Sequence, residues 1–199
     1  MEILGFSGVT LLLLCCPLLL IVAVVGYLIF TYNGLVKLRV LVDEAWSGID
    51  VQLKRRYDLI PNLVETVKGY AKHEKGLFEK VAELRTSAMK ATGPEAKGKA
   101  EAELANTLKT VFAVAENYPE LKANANFMKL QDELSAIEDE IQSSRRYYNG
   151  AVRDFNMKLQ VFPTNLVAGV LGFKAREFFE VSEEERKNVK VDFSEEEKK

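Results

Sequence analysis

Between Glu2 and Lys37 the sequence places no charged side chain, and within that stretch the run Val9–Phe30 (VTLLLLCCPLLLIVAVVGYLIF) is long enough as a helix to cross a bilayer core of about 30 Å. A helix apolar on every side cannot lie on the surface of a soluble globule, so the chain reads as an anchor carrying a polar remainder. A cleaved leader starts basic, has a shorter apolar core and ends in small residues. This chain starts Met1-Glu2 and its run is of spanning length, so a retained anchor is expected. Cys15 and Cys16, the only cysteines, lie inside the run behind leucines rather than the small residues of a lipid-attachment site; they read as small apolar side chains of a membrane helix. No disulfide framework or thiolate metal site is open to the rest of the chain. Pro17 within the span predicts a kink whose freed carbonyl is satisfied locally.

Basic residues near the ends of a span resist translocation. Only the amino terminus and Glu2 lie on the short side, whereas Lys37, Arg39, Lys54, Arg55 and Arg56 follow on the other. The domain beyond the span is therefore expected at the cytoplasmic face, with the first residues outside. Without the anchor and a tail, roughly 130–150 of the 199 residues remain, enough for one domain with its own core. A net charge of -2 gives no electrostatic basis for nucleic-acid binding, which needs clustered Lys and Arg to neutralise phosphates.

Past the span, Leu35, Leu38, Val42, Ala45, Ile49 and Leu53 recur at steps of three and four, one buried face of an amphipathic helix. The membrane helix is free to run into it, with Asn33-Gly34 the one weak point. Pro61 then removes an amide and disfavours helical geometry at Ile60, so the helix turns back or kinks there. A stripe of Val64, Val67, Ala71, Phe78, Val81 and Leu84 continues nearly in register, which favours a kink; matching of helix lengths favours a turn. Thr92-Gly93-Pro94-Glu95 ends one helix and starts the next, whose stripe is Leu104, Leu108, Val111, Ala115 and Tyr118. After Tyr118-Pro119 the longest helix begins near Asn126 and carries Phe127, Leu130, Leu134, Ile137, Ile141, Tyr148, Val152, Phe155, Leu159 and Phe162 on its stripe, with a slip after Tyr148, until Pro163. Stretches of roughly 25–40 residues, about 40–60 Å at 1.5 Å each, bury their stripes only by packing together. The pattern predicts an all-α protein: an N-terminal transmembrane helix followed by an elongated antiparallel four-helix bundle, with a coiled-coil homo-oligomer as the structural rival. Its divisions are 1–32 (terminus and span), 33–163 (bundle), 164–181 (an apolar segment with a short helix) and 182–199 (a charged tail in which Val189–Phe193 has the pattern of a short strand).

The string Ala45-Trp46-Ser47, Ile49 to Arg56 (IDVQLKRR), Asp58 to Val64 (DLIPNLV), Val67 to Ala71 (VKGYA) and His73-Glu74 resembles the LemA family. The likeness extends through Tyr118-Pro119-Glu120-Leu121-Lys122-Ala123, Leu130-Gln131, Arg145 with Tyr148-Asn149, Phe155-Asn156, Gly172-Phe173 and Phe178-Phe179, from about Tyr32 to Phe193. It implies a prokaryotic membrane protein with an outside N-terminus and a four-helix bundle, and tips Pro61 toward a turn. It implies no activity. As partners it points to the membrane lipid bilayer and to a membrane-associated protein, with a membrane protease system as one such partner.

Chemistry-bearing patterns are sparse. A di-metal bundle site needs two Glu-x-x-His pairs, and the single histidine, His73, has no Glu three residues before it; Leu77 stands where a zinc-protease second His would. Ser47, Ser87 and Ser135 have no activating base in the pattern, and no Gly-rich phosphate loop occurs. No catalytic residue, metal ligand or cofactor is expected. The candidate partner or lipid surface is Lys54, Arg55 and Arg56, whose structural alternative is ion pairing with Glu138, Asp139 or Glu140, together with the apolar stretch after Pro163, including Leu166, Val167, Val170, Leu171, Phe173, Phe178 and Phe179, which either caps the bundle or touches the bilayer. Function is expected to be that of a non-catalytic scaffold or adaptor at the membrane; the alternative is a self-assembling membrane-remodelling or lipid-sensing protein.

Overall fold

A computed structural model describes residues 3–179, with side chains from Cys15 onward; the expected tail 182–199 lies outside the described residues. Among them all regular structure is helical: α1 (Ile3–Lys68), α2 (Lys75–Lys90), α3 (Pro94–Ala115), α4 (Pro119–Lys122), α5 (Ala125–Gln160) and α6 (Thr164–Ala168). The chain divides into two compact units, residues 1–47 with 147–176, and residues 48–146 with the chain from 177 onward.

In the first unit the described part of the apolar run, from Cys15 to Phe30, is a largely exposed helix: Leu18, Leu20 and Ile21 are 61%, 65% and 56% exposed. Protein does not bury this surface, so a membrane must, and the chain is a membrane-associated protein with one span-length helix. α1 continues through Asn33-Gly34 without a break, and from Leu35 onward one face is buried, with Leu35, Val42 and Ala45 at 3% exposure or less. The end of α5 packs on that face: Trp46 meets Tyr148 edge to face at 5.4 Å, and Phe173 sits between Tyr32 (5.7 Å) and Phe155 (6.4 Å) beneath the Arg39 guanidinium. Phe173 gets there because Gly172 takes φ +77°, a conformation open to glycine, as the Phe173 amide donates to the Ala168 carbonyl. Beyond it the Asn156 side chain clamps the backbone of Arg176 from both sides, at 2.8 Å each, and the Arg176 guanidinium donates to Asp43 at 2.8 Å.

In the second unit four helices share one core, with Leu53, Ile60, Leu63, Val67, Val81, Leu104, Val111 and Leu121 at its centre. α2 doubles back along α1, bringing Arg85 to Tyr57; α3 runs beside α1 in its own direction, pairing Lys97 with Asp50 and Glu101 with Arg56; α5 returns antiparallel, pairing Asn124 with Tyr70 and Glu138 with Arg56. Gly93, at φ +84°, makes the corner before Pro94. Asn124 caps α5, its Oδ1 accepting from the amides of Asn126 and Phe127.

Pro61 does not turn the chain. α1 runs through it to Lys68, and the reversal falls at residues 69–74, after Gly69. A proline at 61 deprives the Tyr57 carbonyl of its intrahelical donor. The Nε of Arg85, from α2, donates to that oxygen at 2.8 Å, so the proline defect is repaired from the neighbouring helix and the long helix survives. A second departure is Phe162: placed on the buried stripe of the longest helix by its spacing, it lies just past the end of α5 and is 73% exposed.

Candidate functional site

The core of the second unit contains charge. Arg56 lies on the α1 stripe between Leu53 and Ile60 and is 2% exposed. Its Nη2 donates to Glu101 of α3, itself 5% exposed, and its Nη1 to Glu138 of α5 at 2.7 Å. The Tyr57 hydroxyl donates to the other oxygen of Glu101, and Gln142 Nε2 donates to the second oxygen of Glu138 at 3.2 Å. One arginine thus ties three helices together through paired, hydrogen-bonded carboxylates, the arrangement that offsets the several kcal/mol cost of desolvating such ions. Burial lowers the Arg56 pKa from its ordinary value, against the field of Glu138 that raises it; burial pushes the Tyr57 phenol up to about 12, against the nearby Arg56 cation. Tyr57 therefore stays a neutral donor to Glu101 at physiological pH.

The network is not sealed. Among the described residues Arg56 Nε, itself buried, finds no hydrogen-bond partner, and the residue lines two adjoining depressions between α3 and α5. One, about 260 Å³, is walled by Ala105, Leu108, Phe112 and Leu134; the other, about 200 Å³, by Gly98, Ala102, Ile141 and Phe179. Both also touch Lys109 and Glu138, and Gln131, Ser135, Glu101, Gln142 and Arg145 add polar lining, so together they form an open groove of mixed character in which the Arg56 cation is already paired. Each is smaller than the roughly 300–1,000 Å³ of an enclosed small-molecule pocket. The carboxylates of Glu101 and Glu138 converge on the Arg56 guanidinium.

The six surface residues expected from the sequence are not placed alike. Lys54 and Arg55 are exposed, Arg55 donating to Gln52 at 3.1 Å and lining a shallow trough with Asp58, Glu133 and Glu140. Arg56 is inside, not on a surface patch, because α3 and α5 pack over it. Leu171 is half-buried and Phe178 is 39% exposed; Phe179 is buried at 2%, with the Arg145 guanidinium 5.2 Å over its ring, and so is no lipid contact. Glu101 and Tyr57 had not been singled out as site residues. Their signal was present: Glu101 falls three residues before Leu104 on the α3 stripe, as Arg56 falls between Leu53 and Ile60, and opposite charges on two buried stripes ask to be paired.

A model of the LemA family matches residues 45–193. Magnetosome protein MamQ 2 of Paramagnetospirillum magneticum is 26% identical over 194 residues, covering 84% of this chain and 71% of its own. Protein LemA of Metamycoplasma hominis is 29% identical over 186 residues, covering 89% and 83%. MamQ of Magnetospirillum gryphiswaldense is 24% identical over 194 residues, covering 84% and 71%.

Proposed function

This chain belongs to the LemA family, and from that premise we propose that it is a membrane-anchored adaptor without chemistry of its own, holding a segment of another protein in the groove between α3 and α5. The observation that carries the proposal is the groove itself, walled by Leu108, Phe112 and Leu134 and lined by Lys109 and the buried, paired Arg56. The partner segment presents apolar side chains to Leu108, Phe112 and Leu134, and one carboxylate or carbonyl to the exposed Lys109. The basic residues that follow the span favour an adaptor at the cytoplasmic face.

A photo-crosslinking side chain at Ala105 in the full chain, in its native membrane, tests this. A discrete adduct with another protein, shared by position 109, lost on Phe112→Asp and absent from the exposed position 65, is the expected result. Adducts confined to lipid or to a second copy at position 105 would refute the adaptor. Protease added from outside intact cells should leave the bundle whole; digestion would reverse the orientation.

A further inference from the structure

The corner between α5 and α6, in the first unit, has two faces. Thr164 and Ala168, four residues apart, are buried at 3% and 4%. Leu166 on α6, and Phe162 and Val170 in the turns on either side of it, are 65%, 73% and 89% exposed, with Val161 at 49%. Apolar side chains left open beside a packed face need a medium, and the same unit supplies one. Phe162, Pro163 and Thr164 line a cavity with Tyr27, Phe30, Thr31, Gly34 and Leu38 of α1, at the end of the apolar run, with Lys158 at its edge. Phe30 itself is 75% exposed. No charged side chain occurs between Lys158 and Lys174, so the corner is a charge-free stretch of chain with a cation on either flank.

We propose that Phe162, Leu166 and Val170 form a second membrane contact, an interfacial wedge seated among lipid acyl chains beside the span. The occupant of this face is the bilayer. Continuity with the exposed span surface argues for it: a protein partner would have to displace lipid already in contact with Ile29 and Phe30, whereas lipid has only to extend over the next residues. Lys158 and Lys174 then lie where their stems reach headgroup phosphates, the pattern of interfacial elements that pair an apolar face with basic flanks. The anchor thereby has a footprint wider than one helix and a fixed rotation about the membrane normal, which a lone span lacks.

The inference rests on Val9–Phe30 sitting in a bilayer, and its test separates the two. The full chain is reconstituted into phosphatidylcholine/phosphatidylglycerol vesicles with or without bromine on the acyl chains. Leu166→Trp and Val170→Trp are each read as the emission added to that of Trp46. Protein that fails to float with vesicles overturns the anchor itself. With the protein bound, the added emission should be blue-shifted, fall by about half or more over brominated lipid, and resist iodide, while Met89→Trp responds to iodide alone. Added emission that iodide quenches and brominated lipid does not would place the corner in water. Emission that neither quenches would mean a second copy covers it. Either result overturns the wedge and leaves the span standing. Because both substitutions lie on the exposed face, they spare the buried Thr164 and Ala168, and a helical circular-dichroism signal equal to that of the parent verifies folding.

Discussion

The two halves of α1 use the same aliphatic side chains to opposite ends. Leu18 is 61% exposed and Leu53 is 1% exposed, on one unbroken helix. What differs is the angular distribution of the apolar residues, not their kind. Before Lys37 they surround the axis and no charge interrupts them, so only lipid satisfies the whole circumference; from Leu35 they narrow to a stripe, and three further helices cover it. Charge follows the same division. The first half tolerates none, whereas the second buries Arg56, because helices from elsewhere in the chain bring Glu101 and Glu138 to it.

The contrast breaks most readily at Arg56. Arg56→Met strands two carboxylates, one fully buried, and is expected to cost about 3–5 kcal/mol in denaturant unfolding of the detergent-solubilised chain. Combining it with Glu101→Leu and Glu138→Leu should restore most of that loss, because an all-apolar layer needs no pairing. A single-variant cost below about 1 kcal/mol would mean water reaches the network. The lipid-facing half responds by a different measure: Leu20→Asp should leave bundle unfolding unchanged but oppose insertion by roughly 3 kcal/mol, read as protein lost from the membrane fraction.

A finer probe is Tyr57. Its phenol is held protonated by burial up to about 12, against 10.0 when unfolded, so its contribution to stability is complete below pH 10 and is lost as pH rises toward 12, where the unfolded chain has already released the proton. Tyr57→Phe should cost about 1–2 kcal/mol at neutral pH, and the gap to the parent should narrow by roughly 1 kcal/mol across pH 10–12 once solvent screening is allowed for. A constant gap would mean that burial does not hold the phenol protonated. The smallest effect sharpens how α1 stays whole. Arg85→Leu should cost about 1 kcal/mol beside Pro61 and much less in a Pro61→Ala background, where the helix supplies its own donor to the Tyr57 carbonyl. Equal costs in both backgrounds would show that the Arg85 bond does not compensate the proline.

Much of this was legible in the residues. Stripe spacing and the Gly93-Pro94 and Tyr118-Pro119 breaks give the helices of the second unit and their order, since each signal is local. Pro61 misled where it was read as a turn, because the compensating donor is 24 positions away in sequence and on another helix. The true reversal had a quieter mark, Lys68 followed by Gly69, a basic last turn and a glycine stop. Phe162 fitted a periodic stripe, but α5 ends two residues before it, and periodicity carries no information past a helix end. The charged core and its groove were the least legible. Spacing puts Arg56 and Glu101 on buried stripes, but only the packed register shows that they meet and that Nε is left over.

Central to all of this is a single helix divided between two media, and a scan of α1 measures it directly. Single nitroxide labels from position 15 to position 68, in the full chain lacking its native cysteines and held in vesicles, report oxygen and nickel-chelate access at each site. The expected profile is oxygen-rich and flat through position 30, then periodic at 3.6 residues, with minima at Leu35, Val42, Ala45, Ile49, Leu53 and Ile60. Periodic minima before position 30 would mean protein covers the run, and chelate access there would mean water does; either profile would contradict the division.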